Sequence, residues 1–157
     1  MNGNINYKFW TTCMIKDKNR VLLLNRQHDA LKGYIPPGGK VEFPESFVDG
    51  AIREVREETG LAVRNLVYKG LYEFVNEEKS DRYIIFNYIT EDFSGELLEN
   101  PPEGEPTWIQ IDKAMQLPMQ VATKLSFPYL FEEGTFEMQI YWDIEQNQEG
   151  KVTVKRT

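Results

Sequence analysis

Residues 39–61 read GKVEFPESFVDGAIREVREETGL, and the tail of this stretch crowds Glu54, Glu57 and Glu58 into five positions. Phe47, Val48, Ala51, Ile52 and Val55 recur at helical spacing and predict one buried stripe on a helix over 46–59. Ser46 is placed to cap its start, and Gly60 suits the left-handed position just past its end. On that helix the three glutamates stand at i, i+3 and i+4, so their carboxylates share one face. Like charges at such spacing repel, and something must offset the repulsion. Three carboxylates converging on one point form an oxygen-donor trap for a hard divalent cation; a solvated acidic face is the alternative. The preceding loop, PPGGK, favours the cation. Its glycines let the backbone approach a ligand closely, and a loop carbonyl can add a further metal ligand. Magnesium suits a site that offers a few carboxylates and leaves room for water and substrate phosphates.

Working outward, KFWTTCMIK (8–16) and RVLLLNR (20–26) read as strands joined by a hairpin turn at DKN. The loop QHDALKGYIPPGGK follows, whose paired prolines and glycines argue against regular structure. Residues 62–76 and 82–90 read as strands around the polar turn NEEKSD, and TWIQI as a short strand after a proline-bearing stretch. A second helix is expected over about 121–132, shortened or bent by Pro128. The end of the chain, FEMQIYWDI and KVTVKR, reads as a closing hairpin around NQEG. Helices flanking a mixed sheet place the fold in the α/β or α+β class.

A chain of 157 residues is expected to form a single domain over 1–157. Its 41% hydrophobic and 13% aromatic content belong to a globular protein rather than a disordered one. The net charge of −7 argues against a surface for duplex nucleic acid, although a bound cation would let an acidic protein handle an anionic substrate. One cysteine, Cys13, in an apolar stretch, excludes an internal disulfide and reads as a buried thiol. Nothing at the N-terminus resembles a signal peptide and no apolar run reaches the ~20 residues of a membrane span, so the expected location is cytoplasmic.

The spacing G-x5-E-x7-R-E-U-x-E-E-x-G-U, with U aliphatic, resembles the signature of the Nudix hydrolases. Gly39, Glu45, Arg53, Glu54, Val55, Glu57, Glu58, Gly60 and Leu61 fill every fixed position. Seven fixed identities recur by chance at a given start roughly once in 10⁸. The resemblance implies an α/β/α sandwich around a mixed sheet, and hydrolysis of a nucleoside diphosphate linked to another group with Mg2+ or Mn2+. It implies that Glu54, Glu57 and Glu58 ligate metal, with one of the set activating water, and that the Gly39 carbonyl is an additional ligand. Arg53 and Glu45 are read as orienting groups.

The flanks resemble the MutT-like branch, which hydrolyses oxidised nucleoside triphosphates such as 8-oxo-dGTP. They comprise an RVLL strand (Arg20–Leu23), a GGKV loop (Gly38–Val41), a PxW element (Pro106–Trp108) and the terminal hairpin. This places Gly38, Gly39 and Lys40 at the substrate, with Arg26 and Thr11 near the nucleotide; a surface arginine and an ordinary strand threonine are their alternatives. It makes Glu103 a further metal-binding or catalytic candidate, with a solvated loop acid as its alternative. The chain departs from that branch where Ile35 replaces a base-reading asparagine, and where Leu117–Gln120 replace a tryptophan and paired aspartates. Asn87 is a candidate substitute reader; a polar strand residue facing solvent is its alternative. Trp108 reads as strand packing and His28 as a loop surface residue. ADP-ribose or dinucleoside polyphosphates are rival substrates within the family, and a non-catalytic binding module is the rival outside enzymes.

Overall fold

Alternation along the first two strands divides the interior into two cores. The computed structural model describes residues 3–27, 33–102, 104–143 and 145–157. Its elements run β1 (Asn6–Asp17), β2 (Arg20–Arg26), β3 (Gly33–Ile35), β4 (Gly38–Lys40), α1 (Phe47–Thr59), β5 (Ala62–Arg64), β6 (Val67–Asn76), β7 (Asp81–Thr90), β8 (Asp92–Ser94), β9 (Glu105–Gln110), α2 (Ile111–Ala114), α3 (Val121–Leu130), β10 (Phe136–Asp143) and β11 (Gln148–Arg156). Cys13, Ile15 and Leu22 pack with Ala51 and Val55 of α1. Met14, Val21 and Leu23, one step along the same strands, pack with Ala122, Phe127 and Leu130 of α3. Successive side chains of a strand point to opposite faces, so the apolar runs CMI and VLLL cover both sides of the sheet. Helix, sheet and helix therefore form the layers of a mixed α+β sandwich.

The main sheet runs β11-β10-β6-β7-β1-β2-β3, with β4 added to β1 and β9 to β2. The pairs β1/β7 and β6/β10 are parallel; the other pairs of this sheet are antiparallel. β1 and β2 pair only at Lys16↔Val21 and Asp17↔Arg20, then part. Beyond that point β4 takes the edge of β1 (Trp10↔Lys40 to Thr12↔Gly38), while β3 and β9 flank β2. The sheet is thus forked, and the glycine loop sits in the fork.

Four expectations are corrected. The PPGG region is not devoid of regular structure, because β3 and β4 form on either side of the prolines. Gly38 makes that pairing possible: a Cβ there would stand 2.2 Å from the Thr11 carbonyl oxygen. Val48 is exposed, because Phe47, Ala51 and Val55 at i, i+4 and i+8 already define the buried face. Residues 62–76 form two strands, broken where Asn65 adopts a left-handed φ of 54° and bonds Asp92 Oδ2 at 2.7 Å. The helix expected over about 121–132 is α3, which ends at Leu130, two residues after Pro128, in line with the shortening expected at that proline. The terminal hairpin forms, β10 pairing antiparallel with β11, but Gln148, Glu149 and Gly150 of the expected NQEG turn belong to β11. Among the described residues no helix is long and apolar enough to cross a membrane.

Candidate active site

Local rules set α1 in place. Ser46 accepts a hydrogen bond from the Asp49 amide at 3.0 Å, and Gly60, at φ 86°, donates its amide to the Arg56 carbonyl. Glu54, Glu57 and Glu58 then emerge on the side of the helix facing the fork. There Glu58 Oε1 accepts from the Gly38 amide at 2.8 Å, which ties the helix to the loop. The Glu54 carboxylate lies where a side chain on Gly39 would start: a Cβ there would be 2.3 Å from Glu54 Cδ. A side chain at that position would displace the Glu54 carboxylate.

Arg53 organises the acids. Its Nε and Nη2 bond Glu45 Oε2 and Oε1 at 3.0 and 2.8 Å, a bidentate pair. Nη1 reaches Glu54 Oε1 at 2.9 Å and Glu57 Oε2 at 3.2 Å, and Nη2 also bonds the Lys40 carbonyl at 3.0 Å. The hydrogen bond from Arg53, with one from the Glu42 amide, holds the Glu45 carboxyl down at about 2. Glu45 in turn pushes the guanidinium above its ordinary value. Burial raises the Glu54 pKa, against the opposing pull of Arg53. Glu45 is therefore a fixed counter-ion, whereas Glu54 is poised nearer to taking a proton.

The three carboxylates do not converge on one point, which corrects the sequence expectation. Arg53 stands between Glu54 and Glu57, and Glu58 turns to the Gly38 amide. Among the described residues no three His, Cys, Asp or Glu side chains are gathered closely enough to hold a metal ion. Guanidinium and amide donors offset the mutual repulsion instead. All three acids nevertheless line one cleft of about 390 Å³ together with Gly38, Gly39, Arg26 and Pro102. Its acidic donors are oxygen only, and Glu57 is largely exposed while Glu54 is largely covered. In chemistry that donor set fits a hard divalent cation such as Mg2+ or Mn2+. To hold one with the Gly39 carbonyl, Glu54, Glu57 and Glu58 would have to turn from Arg53 and the Gly38 amide towards each other.

Other predicted residues fall elsewhere. Thr11 is fully buried beneath the loop, opposite Gly39 in the β1/β4 pairing, so it does not line a ligand pocket as expected. Its Oγ1 has no hydrogen-bond partner among the described residues. Asn87 is also buried, and its amide is committed: Oδ1 accepts from Thr12 at 2.8 Å, while Nδ2 donates to the Gly70 and Ile85 carbonyls at 3.2 and 3.1 Å. The expectation that Asn87 reads a base is corrected, because its donors already serve the core. Lys40 is exposed at the end of β4. Trp108 packs against Phe93 with Arg20 over its ring, which is strand packing. Glu103 and His28 lie outside the described residues.

Sequence reasoning missed a second cleft of about 580 Å³ on the α3 side of the sheet. Trp10, Tyr72, Phe74 and Tyr83 line it against the segment Met119–Ala122. Trp10 pairs with Lys40, next to the Gly38–Gly39 wall of the glutamate cleft, so the two clefts adjoin across β4. The far wall is stitched to the same loop, since the Tyr34 amide donates to the Pro118 carbonyl at 2.9 Å. Aromatics alternating on strands were the available signal, but the same pattern fits an ordinary core.

A sandwich with a forked mixed sheet, and a glycine loop leading into a glutamate-bearing helix, defines a Nudix hydrolase. The chain belongs to that family: the NUDIX domain model matches residues 10–130. It is 30% identical over 112 residues to the uncharacterized Nudix hydrolase YvcI of Bacillus subtilis, covering 69% of this chain and 70% of that one. It is 31% identical over 132 residues to the oxidized purine nucleoside triphosphate hydrolase of Danio rerio, covering 82% and 83%. The fold matches the crystal structure of the MutT protein from Bacillus halodurans with a TM-score of 0.83 and 27% identity, covering 94% and 97%.

Proposed function

We propose that this Nudix hydrolase cleaves a nucleoside triphosphate between the α- and β-phosphates, releasing monophosphate and pyrophosphate, with an oxidised purine such as 8-oxo-dGTP as its preferred base. The observation that carries the reading is the adjacency of the two clefts, one acidic with oxygen donors and one aromatic, on either side of the glycine loop. A flat base stacks in the aromatic cleft, and the phosphates run through the fork to the glutamates. A bound divalent cation supplies charge neutralisation for the phosphates and a lowered pKa for water.

The chain's own residues do the rest. Arg53 and Glu45 form a rigid bracket that sets the rotamers of Glu54 and Glu57. The Gly38 amide fixes Glu58. Arg26 lines the same cleft and offers a positive charge to the phosphates. One carboxylate of the set accepts the proton of the attacking water. Similarity to a hydrolase of oxidised purine nucleotides over most of the chain supports the base assignment.

The test compares kcat/KM for 8-oxo-dGTP, dGTP, ADP-ribose and a dinucleoside tetraphosphate under identical Mg2+, with products identified. Pyrophosphate release and a preference for 8-oxo-dGTP are expected. Orthophosphate as product, or ADP-ribose as best substrate, overturns the reading. Equal rates for dGTP and 8-oxo-dGTP remove the oxidised base and leave triphosphate hydrolysis standing.

A further inference from the structure

The terminal hairpin is irregular at one place, and that place changes what faces the aromatic cleft. From Ile140↔Val152 to Trp142↔Glu149 the register advances two residues on β10 but three on β11. The additional residue is a β-bulge at Gly150–Lys151. Val152 and Val154 lie opposite Ile140 and Met138, which face the α3 core. Strict alternation from those valines would aim Gly150 inward and Glu149 away. The bulge reverses the alternation, so Glu149 comes opposite Trp142 and on the same face as it; re-aiming a side chain is what a bulge does. Glycine suits the spot, because a Cβ on residue 150 would stand 2.9 Å from Asp143 Cβ.

Glu149 lines the aromatic cleft and also an adjoining compartment of about 350 Å³ that shares Phe74 and Tyr83 with it and adds Trp142. Among the described residues lining the aromatic cleft, it alone carries a formal charge at neutral pH. A carboxylate only accepts hydrogen bonds. A guanine-type base presents two neighbouring donors, N1–H and the exocyclic amine, which two carboxylate oxygens match; oxidation at C8 leaves that edge unchanged. Adenine presents an acceptor at N1 instead, and a carboxylate lone pair facing it repels.

We propose that Glu149 is the specificity-determining residue of the base site, accepting from the N1–H and amine of a guanine-type base and disfavouring adenine. The proposal rests on the reading that the aromatic cleft holds the base. It would give a chain with Ile35 in the glycine-loop approach and a buried Asn87 a means of distinguishing bases.

The experiment measures KM and kcat for 8-oxo-dGTP, dGTP and dATP in wild type, Glu149→Gln, Glu149→Asp and Trp10→Leu. Direct binding of dGMP and dAMP, read by tryptophan fluorescence, accompanies it. Glu149→Gln is expected to raise KM and Kd for the guanine nucleotides about 10-fold or more. It should leave kcat near wild type and dATP unchanged or improved, while Glu149→Asp retains part of the preference. A guanine-to-adenine ratio unchanged in Glu149→Gln overturns the proposal. If Trp10→Leu raises KM for every nucleotide while Glu149→Gln changes nothing, only the role of Glu149 falls. If a folded Trp10→Leu variant, verified by circular dichroism, binds all nucleotides as wild type does, the aromatic cleft is not the base site and the parent reading falls with it.

Discussion

Replacing Gly39 by alanine separates catalysis from stability. The new Cβ would stand 2.3 Å from Glu54 Cδ and 2.5 and 2.6 Å from its two oxygens, whereas ordinary contact begins near 3.4 Å. The carboxylate must therefore move by about 1 Å, and a displacement of that size in a reacting constellation costs about 10²-fold in rate. The fold should tolerate the change. Gly39 is not among the glycines with positive φ, and the atoms it meets are the far end of a flexible side chain. Alanine at a compatible backbone position can even add about 0.4–1 kcal/mol by restricting the unfolded chain. The expected phenotype is a kcat lowered about 10²-fold, with melting temperature and nucleotide KM close to wild type. Pyrophosphate release under saturating 8-oxo-dGTP gives kcat; calorimetry gives Tm. A Gly39→Ala enzyme turning over within about threefold of wild type would refute the claim that Glu54 must rest on the loop backbone.

The neighbouring glycine should behave in the opposite way. In Gly38→Ala the Cβ meets the Thr11 carbonyl oxygen at 2.2 Å and Thr12 Cα at 2.9 Å, both backbone of a paired strand. A loss of about 2–3 kcal/mol is expected, seen as a Tm drop of roughly 5–10 °C; an unchanged Tm would contradict the pairing. Glu57→Gln should lower kcat at least ~10²-fold with the fold intact, and millimolar Mg2+ should raise the wild-type Tm by mass action more than it raises the mutant's. Glu45, with its folded pKa depressed to about 2, contributes stability that is present above the ordinary carboxylate range and lost as pH falls from about 4.5 towards about 2. Glu45→Gln should therefore be less stable than wild type at neutral pH, with the difference closing across that window in acid-unfolding curves. Asn87→Ala should cost about 2–3 kcal/mol by stranding Thr12 and two carbonyls, yet leave nucleotide KM unchanged; a selective change in KM would return Asn87 to the base site.

The sequence by itself determined the helix and its chemistry. Ser46, the Phe47–Ala51–Val55 stripe, the glutamate face and Gly60 all act within a turn or two of the chain, where a 3.6-residue period and local capping decide the outcome. The hairpins at either end were legible for the same reason, since alternation and a turn lie within one short segment. What only the tertiary structure decided depends on which distant segments become neighbours. Parallel pairing of β1 with β7 sets Thr12 against Asn87 and turns a polar strand residue into a core strut. The fork between β1 and β2 opens beside the glycine loop because β4 takes one strand and β3 and β9 the other. The glutamates share a face by local geometry, but their present arrangement is set by competition among Arg53, the Gly38 amide and burial, which no spacing reveals. The direction in which Glu149 points is the clearest case: one additional residue in a strand reverses the side-chain alternation, and only the partner strand shows that it is there.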